Sequence, residues 1–274
     1  NDGKQIILKS DKVSIAFDAG TGMIARILSD EREVPFTDGP VAVGMKMIYQ
    51  PAESYVRQDS AGAVFCARYK GGADSIVWRL TPQGLLYMDA VLLNRASGGG
   101  GLDDAFMDEE VYNLGITFSY PEQSCKGMKW MGRGPYRVWK NRIAGTNYNI
   151  WHKEYNNTIT GESYDNLVYP EFKGYHANVY WATLESDEVS FTVYSRTDGI
   201  FCRIFTPAEP KGSAKKTMPD FPEGDISFLL DIPAICSFKP IEQQGPNSQP
   251  GNIRIKKGDE GLRLNLMFDF RKNF

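Results

Sequence analysis

Histidine is almost missing from the 274-residue sequence, which holds two, and cysteine is sparse, with four. Cys66, Cys125, Cys202 and Cys236 lie far apart and form no C-x-x-C pair, which counts against a zinc knuckle or a thioredoxin-like centre. Free buried thiols are expected, with a disulfide open to an oxidising compartment. An excess of charge is missing too: 31 Lys and Arg stand against 34 Asp and Glu, a net charge of −3. With no basic face, and with basic clusters as short as Lys215-Lys216 and Lys256-Lys257, nucleic acid is not an expected partner. No apolar run reaches the roughly 18 residues of a membrane-spanning helix, so no membrane contact is expected either. Asn1-Asp2-Gly3-Lys4 has neither the basic start nor the apolar stretch of a signal peptide. An initiator Met is also lacking, so a segment taken from a larger protein is expected, and the compartment stays unknown from this chain.

A three-turn amphipathic helix is equally hard to find, whereas turn formers and aromatics are plentiful. Gly numbers 27, Pro 15, and the aromatic share is 12%, a composition of strands joined by many turns. Period-two alternation marks strands over Gln5–Leu8, Val13–Phe17 and Met23–Leu28, with Asp18-Ala19-Gly20-Thr21-Gly22 as a hairpin signal. Another turn is read at Gly71-Gly72-Ala73-Asp74 before a strand over Ser75–Leu80. Beyond Thr81-Pro82-Gln83-Gly84, the run Leu85–Leu93 reads as a central strand. Further strands are predicted over Tyr112–Phe118, Ala177–Leu184, Val189–Tyr194, Phe201–Phe205, Ile226–Asp231 and Leu262–Phe268. The expected class is all-β, with sheet packed on sheet around one core. The run Ser97-Gly98-Gly99-Gly100-Gly101 could divide the chain, but at five residues it reads as an internal loop of one domain spanning residues 1–274. Asp103, Asp104, Asp108, Glu109 and Glu110 follow it without the D-x-D-x-D-G order of a calcium loop. A solvated loop is therefore expected, and no metal site.

The chemistry is densest between Trp130 and Arg142, where two Trp, one Tyr and three Arg occur within thirteen residues. Aromatic faces beside guanidinium donors suit carbohydrate, because a sugar ring offers apolar C–H faces for stacking and hydroxyls for hydrogen bonds. The same residues also serve to fix a loop or a subunit contact. If the segment meets sugar, Arg133, Tyr136, Arg137, Trp139 and Arg142 are the expected carbohydrate-binding residues, the rings stacking and the arginines donating.

The order of motifs is more specific. Asn113-Leu114-Gly115-Ile116-Thr117-Phe118, then Trp130-Met131-Gly132-Arg133-Gly134-Pro135, then Arg142, resembles the C-terminal small-chain domain of glycoside hydrolase family 2 β-galactosidases. Phe17–Ile24 with Gly39-Pro40, and Tyr169-Pro170-Glu171-Phe172-Lys173-Gly174, are similar to the start and a later stretch of that domain. The resemblance covers nearly the whole chain. It implies one large antiparallel β-supersandwich of the galactose mutarotase-like kind, a catalytic (β/α)₈ barrel and other domains as partners, and a periplasmic or secreted parent enzyme. Departures from the pattern imply a divergent branch whose preferred sugar need not be lactose-like. Arg137-Val138-Trp139 replaces Glu-Asn-Tyr, Asn141 replaces Asp, and Phe172-Lys173 replaces Glu-Asn. A late cleft tryptophan has only Phe238 as its aromatic substitute.

Cleavage in that family uses two glutamates about 5 Å apart, placed by a barrel of about 250 residues. No alternation of strand and helix here reads as that barrel, so the chain alone is expected to lack catalytic residues and cofactors. An aldose 1-epimerase of the same fold is the alternative, with His176 as acid and Glu171 as base; His152 is the other histidine.

Overall fold

Strand β8 (Ala73–Leu80) shows how the pattern dictates the layers: Ile76, Trp78 and Leu80 are each at most 1% exposed, while Val77 and Arg79 face the other way. The computed structural model describes residues 5–44, 51–69, 73–92, 110–111, 113–158, 171–208, 221–234, 243, 253–254 and 262–271. In chain order, β1 (Gln5–Lys9), β2 (Val13–Asp18), β3 (Ile24–Ser29) and β4 (Arg32–Val34) form a four-stranded meander. After β5 (Thr37–Val43), a second meander runs through β6 (Glu53–Asp59), β7 (Gly62–Arg68), β8 and β9 (Leu85–Leu92). The two-residue strands β10 (Glu110–Val111) and β19 (Ile253–Arg254) pair with each other. The remaining strands are β11 (Gly115–Ser119), β12 (Gly127–Gly134), β13 (Asn147–Glu154), β14 (Gly174–Ala177), β15 (Trp181–Glu185), β16 (Phe191–Ser195), β17 (Phe201–Ile204), β18 (Ile226–Leu229) and β20 (Leu262–Asp269).

Two larger sheets result. One has the order β14-β17-β18-β11-β5; the other has nine strands in the order β13-β12-β15-β16-β20-β9-β8-β7-β6. Neighbours pair antiparallel throughout, from β12 on β13 to β9 on β20. Helical conformation among the described residues is confined to a 3₁₀ turn at Glu122–Ser124 and the single residue Gln243. The all-β, antiparallel class read from the sequence is therefore the observed one.

The three sheets close on a shared aromatic core. Phe36 stacks on Phe118 of β11 at 4.4 Å and lies 5.7 Å from Phe268 of β20; Phe17 of β2 lies 5.0 Å from Phe65 of β7. Such ring pairs add stabilisation beyond their buried area. Cys66, Cys125 and Cys202 are free and buried; Cys236 lies outside the described residues.

The stretch Ala177–Leu184, expected as one strand, is two strands in different sheets. Asn178 takes a left-handed φ of 50°, a conformation Asn tolerates, and turns the chain from β14 to β15. The turn glycines 71–72, the glycine run, the acidic cluster up to Glu109, Tyr169-Pro170 and Phe238 lie outside the described residues.

Candidate functional site

Along β12 the side chains alternate, Met128 and Trp130 inward, Met131 and Arg133 outward, and its two glycines serve close approach. A Cβ on Gly132 would stand 3.1 Å from the Ala177 and Asn178 carbonyl oxygens, and one on Gly134 would stand 2.7 Å from the Trp151 ring. The crossover from β14 and the Trp151 indole thus rest directly on β12, the indole N–H donating to the Gly132 carbonyl at 3.1 Å. Gly134→Ala must push that indole away and is expected to cost about 1–3 kcal/mol. Urea unfolding checks this, and an unchanged midpoint would contradict the packing.

Arg133 opens the corner. Its guanidinium lies over the Tyr148 ring at 4.6 Å, and Nη1 makes two long bonds of 3.4 Å to Thr146. Its Nε is buried and meets no partner. Tyr136 is half-buried and donates to the Gly145 carbonyl at 3.3 Å; Arg142 is exposed, with Nη1 donating to the Asn141 carbonyl. Arg137 and Trp139 instead point into the scaffold. Arg137 grips Glu171 with Nε at 2.7 Å and Nη2 at 2.5 Å, a two-pronged pair. Trp139, 6% exposed, meets Tyr175 edge-on at 5.2 Å and Phe221 at 5.5 Å, in a second apolar cluster with Val138, Leu229 and Ile232. Lys140, bonded to both Asp231 oxygens, ties the segment down. Of the five residues expected to meet sugar, Arg133, Tyr136 and Arg142 reach the surface, while Arg137 and Trp139 hold the loop in place.

The sequence reading missed two residues beside Arg133. Tyr148 and Tyr180 are 48% and 46% exposed with ring centres 6.1 Å apart. Tyr148 belongs to an alternation with Ile150 and His152 along β13 that marks one solvent-facing side; Tyr180, in the turn after Asn178, carries no such signal.

Of the pair named for epimerisation, Glu171 is held by Arg137 and His176 lies inside the scaffold. His176 on β14 is fully buried, edge-on to Trp130 at 4.8 Å, and neither ring nitrogen meets a hydrogen-bond partner. Burial, reinforced by the charge of Lys153, pushes its pKa down to about 3, against a weak upward pull from the Gly174 and Cys202 backbone. Lys153, buried with its Nζ 5.8 Å from the Trp130 ring centre, is itself pushed down to about 8 by burial and donates to the Glu171 carbonyl at 2.7 Å.

The second histidine lines an open groove. His152 meets Glu185 at 2.9 Å, and the pair passes over β12 at Gly127, whose missing Cβ would lie 2.6 Å from the Glu185 carboxylate. Glu122, Gln123, Cys125, Lys126, Glu154 and Tyr155 complete the lining. Tyr155 donates to Glu122 at 2.5 Å, and Lys173 pairs with the same carboxylate. Among the described residues no three His, Cys, Asp or Glu side chains converge as metal ligands.

Several solved structures are similar to the chain. A galactose mutarotase related enzyme from Lactobacillus acidophilus shares 10% identity at a TM-score of 0.43, over 98% of each chain. A galactose mutarotase-like protein from Lactobacillus casei shares 10% at 0.39, over 97% of this chain and 99% of that one. A candidate aldose 1-epimerase from Escherichia coli K12 shares 11% at 0.40, over 97% of each. No curated protein sequence matches. A protein-family model described as beta galactosidase small chain matches residues 56–200, from within β6 to the residue before β17.

Proposed function

Because the chain belongs to the beta galactosidase small chain family, we propose that it is an accessory β domain of a β-galactosidase-like glycoside hydrolase. In this reading it packs on a separate catalytic barrel, as the C-terminal part of a family 2 enzyme, and lines the rim of the cleft. The observation that carries its contact with carbohydrate is the Arg133 corner. There a half-buried guanidinium lies against the exposed ring of Tyr148, next to Tyr180. Such a corner offers stacking faces and spare donors to sugar hydroxyls. Tyr136 and Arg142 extend the same surface, and Arg137 and Trp139 position it through Glu171 and Tyr175.

The test compares the whole enzyme encoded by the gene with the isolated 274-residue chain. The whole enzyme is expected to hydrolyse o-nitrophenyl β-galactoside, and the isolated chain is expected to do nothing. In the whole enzyme, Arg133→Ala with Tyr148→Ala is expected to raise KM several-fold with kcat held. Rapid mutarotation of galactose by the isolated chain, lost in His176→Ala, would overturn the proposal.

A further inference from the structure

The solvent-facing side of the nine-stranded sheet carries a row that no motif announces. Strand register sets Tyr87 of β9 beside Met267 of β20, Met267 beside Tyr194 of β16, and Tyr194 beside Trp181 of β15. Trp181 is in turn set beside Met131 of β12, and Met131 beside Ile150 of β13. All six point away from the core, since their chain neighbours Met88, Phe268, Val193, Ala182 and Trp130 are the buried ones. Met131 and Ile150 are exposed and the other four are half-buried. At about 4.8 Å per strand, five steps give a stripe about 24 Å long.

No charged side chain belongs to the stripe. Charges begin beside it, and those at the Tyr87 end are already neutralised: Arg79 pairs with Asp59 at 2.6 Å, and Arg196, which lies over the Tyr87 ring, pairs with Asp89 at 2.7 Å. On the flank of Tyr194 and Trp181 the border is hydroxylic, Thr183 and Thr192 sharing a hydrogen bond of 2.8 Å. The stripe is one residue wide, about 7 Å between successive same-face residues, or about 170 Å² in all. A stable protein interface needs about 800 Å² from each partner around an apolar centre. The stripe's length, on the other hand, exceeds what a single sugar covers.

We propose that this stripe is a binding platform for an extended, uncharged polysaccharide laid across the strands, its ring faces stacked on Tyr194 and Trp181. The hydroxyls of Thr183 and Thr192 border the chain. Beside Tyr87, Tyr194 and Trp181 a uronic acid polymer meets no unpaired cation among the described residues, Lys129 and Arg133 flanking only the Met131 end, which favours neutral sugars on the aromatic stretch. The platform rests on the carbohydrate reading above for its ligand class, but it is a second surface, across Met131 from the Arg133 corner.

Affinity electrophoresis of the whole 274-residue chain tests it, with soluble β-1,4-galactan in the gel and polygalacturonate as the charged comparison. Galactan is expected to retard the chain strongly and polygalacturonate to retard it much less. Trp181→Thr with Tyr194→Thr is expected to weaken galactan binding at least tenfold, while Trp181→Tyr, which keeps a stacking face, retains it and controls for folding. Absence of retardation by galactan, retardation by polygalacturonate alone, or undiminished binding by the double variant would each overturn the platform. Galactan binding by an isolated chain whose whole enzyme proves unable to cleave galactosides would keep the platform and discard the accessory-domain reading; a cleaving enzyme whose isolated chain ignores galactan would do the reverse.

Discussion

Below pH 6.5 the wild-type protein is expected to lose stability relative to a His176→Leu variant at about 1.4 kcal/mol per pH unit, reaching about 3 kcal/mol at pH 4. The sign follows from where the proton goes. Sealed beneath Trp130, His176 stays neutral in the folded protein down to about pH 3, whereas in the unfolded chain it takes up a proton near its ordinary value of 6.5. The unfolded state therefore binds more protons throughout that window, and acid favours it. Neither ring nitrogen makes a hydrogen bond of ordinary geometry, so at pH 7 the leucine variant is expected to unfold at nearly the wild-type urea concentration. Urea midpoints measured from pH 7 to pH 4 decide the matter. Curves that run parallel for the two proteins would mean that His176 is not held neutral.

Replacement of Arg203 by Met is expected to destabilise the protein by about 3 kcal/mol at neutral pH. Arg203 on β17 is fully buried, yet most of its donors are spoken for: Nε bonds Ser227, Nη1 bonds Thr206, and Nη2 bonds the carbonyls of Glu223 and Gly224 at 3.1 and 2.6 Å. Ser227 in turn donates to Thr117, so one guanidinium anchors a chain of bonds across β17, β18 and β11. Burial pulls its pKa down to about 10, a sign that desolvation already offsets part of the gain. Removing it relieves that penalty but takes a donor from the Glu223 and Gly224 carbonyls and from the Ser227 and Thr206 hydroxyls, and the second effect is the larger. A shorter, singly headed Lys at this position is expected to recover little, because it cannot reach both the 206 and the 223–224 segments. A Met variant with a wild-type urea midpoint would show that the bonds contribute nothing net.

Strands such as β2, β8, β9 and β20 were legible because one face is buried, which forces period-two alternation into the residues themselves. β6 was not, because every residue of Glu53–Asp59 is exposed and leaves no alternation to read. β5 was hidden by Gly39-Pro40 inside it, a pair that reads as a turn. In the candidate site, local composition picked out the Trp130–Arg142 segment, but it cannot tell a ring that stacks outward from one that packs inward. Trp139 is turned inward by Tyr175 and Phe221, residues 36 and 82 positions away, and Arg137 is claimed by Glu171. The stripe on the large sheet was invisible for a related reason: its six members come from six separate strands and become neighbours through register alone.

The place of β20 has a bearing on how the protein is made. It lies between β16 and β9, pairing along its whole length with Leu85–Leu92. Until residue 269 has been synthesised, the nine-stranded sheet is two four-stranded halves, each ending in an open hydrogen-bonding edge. Closure across some 170 residues of intervening chain is slow, because the loop entropy is lost before the new contacts form. From residue 195, where β16 ends, until residue 269 the nascent chain carries two sticky half-sheets, and β20 converts them into one.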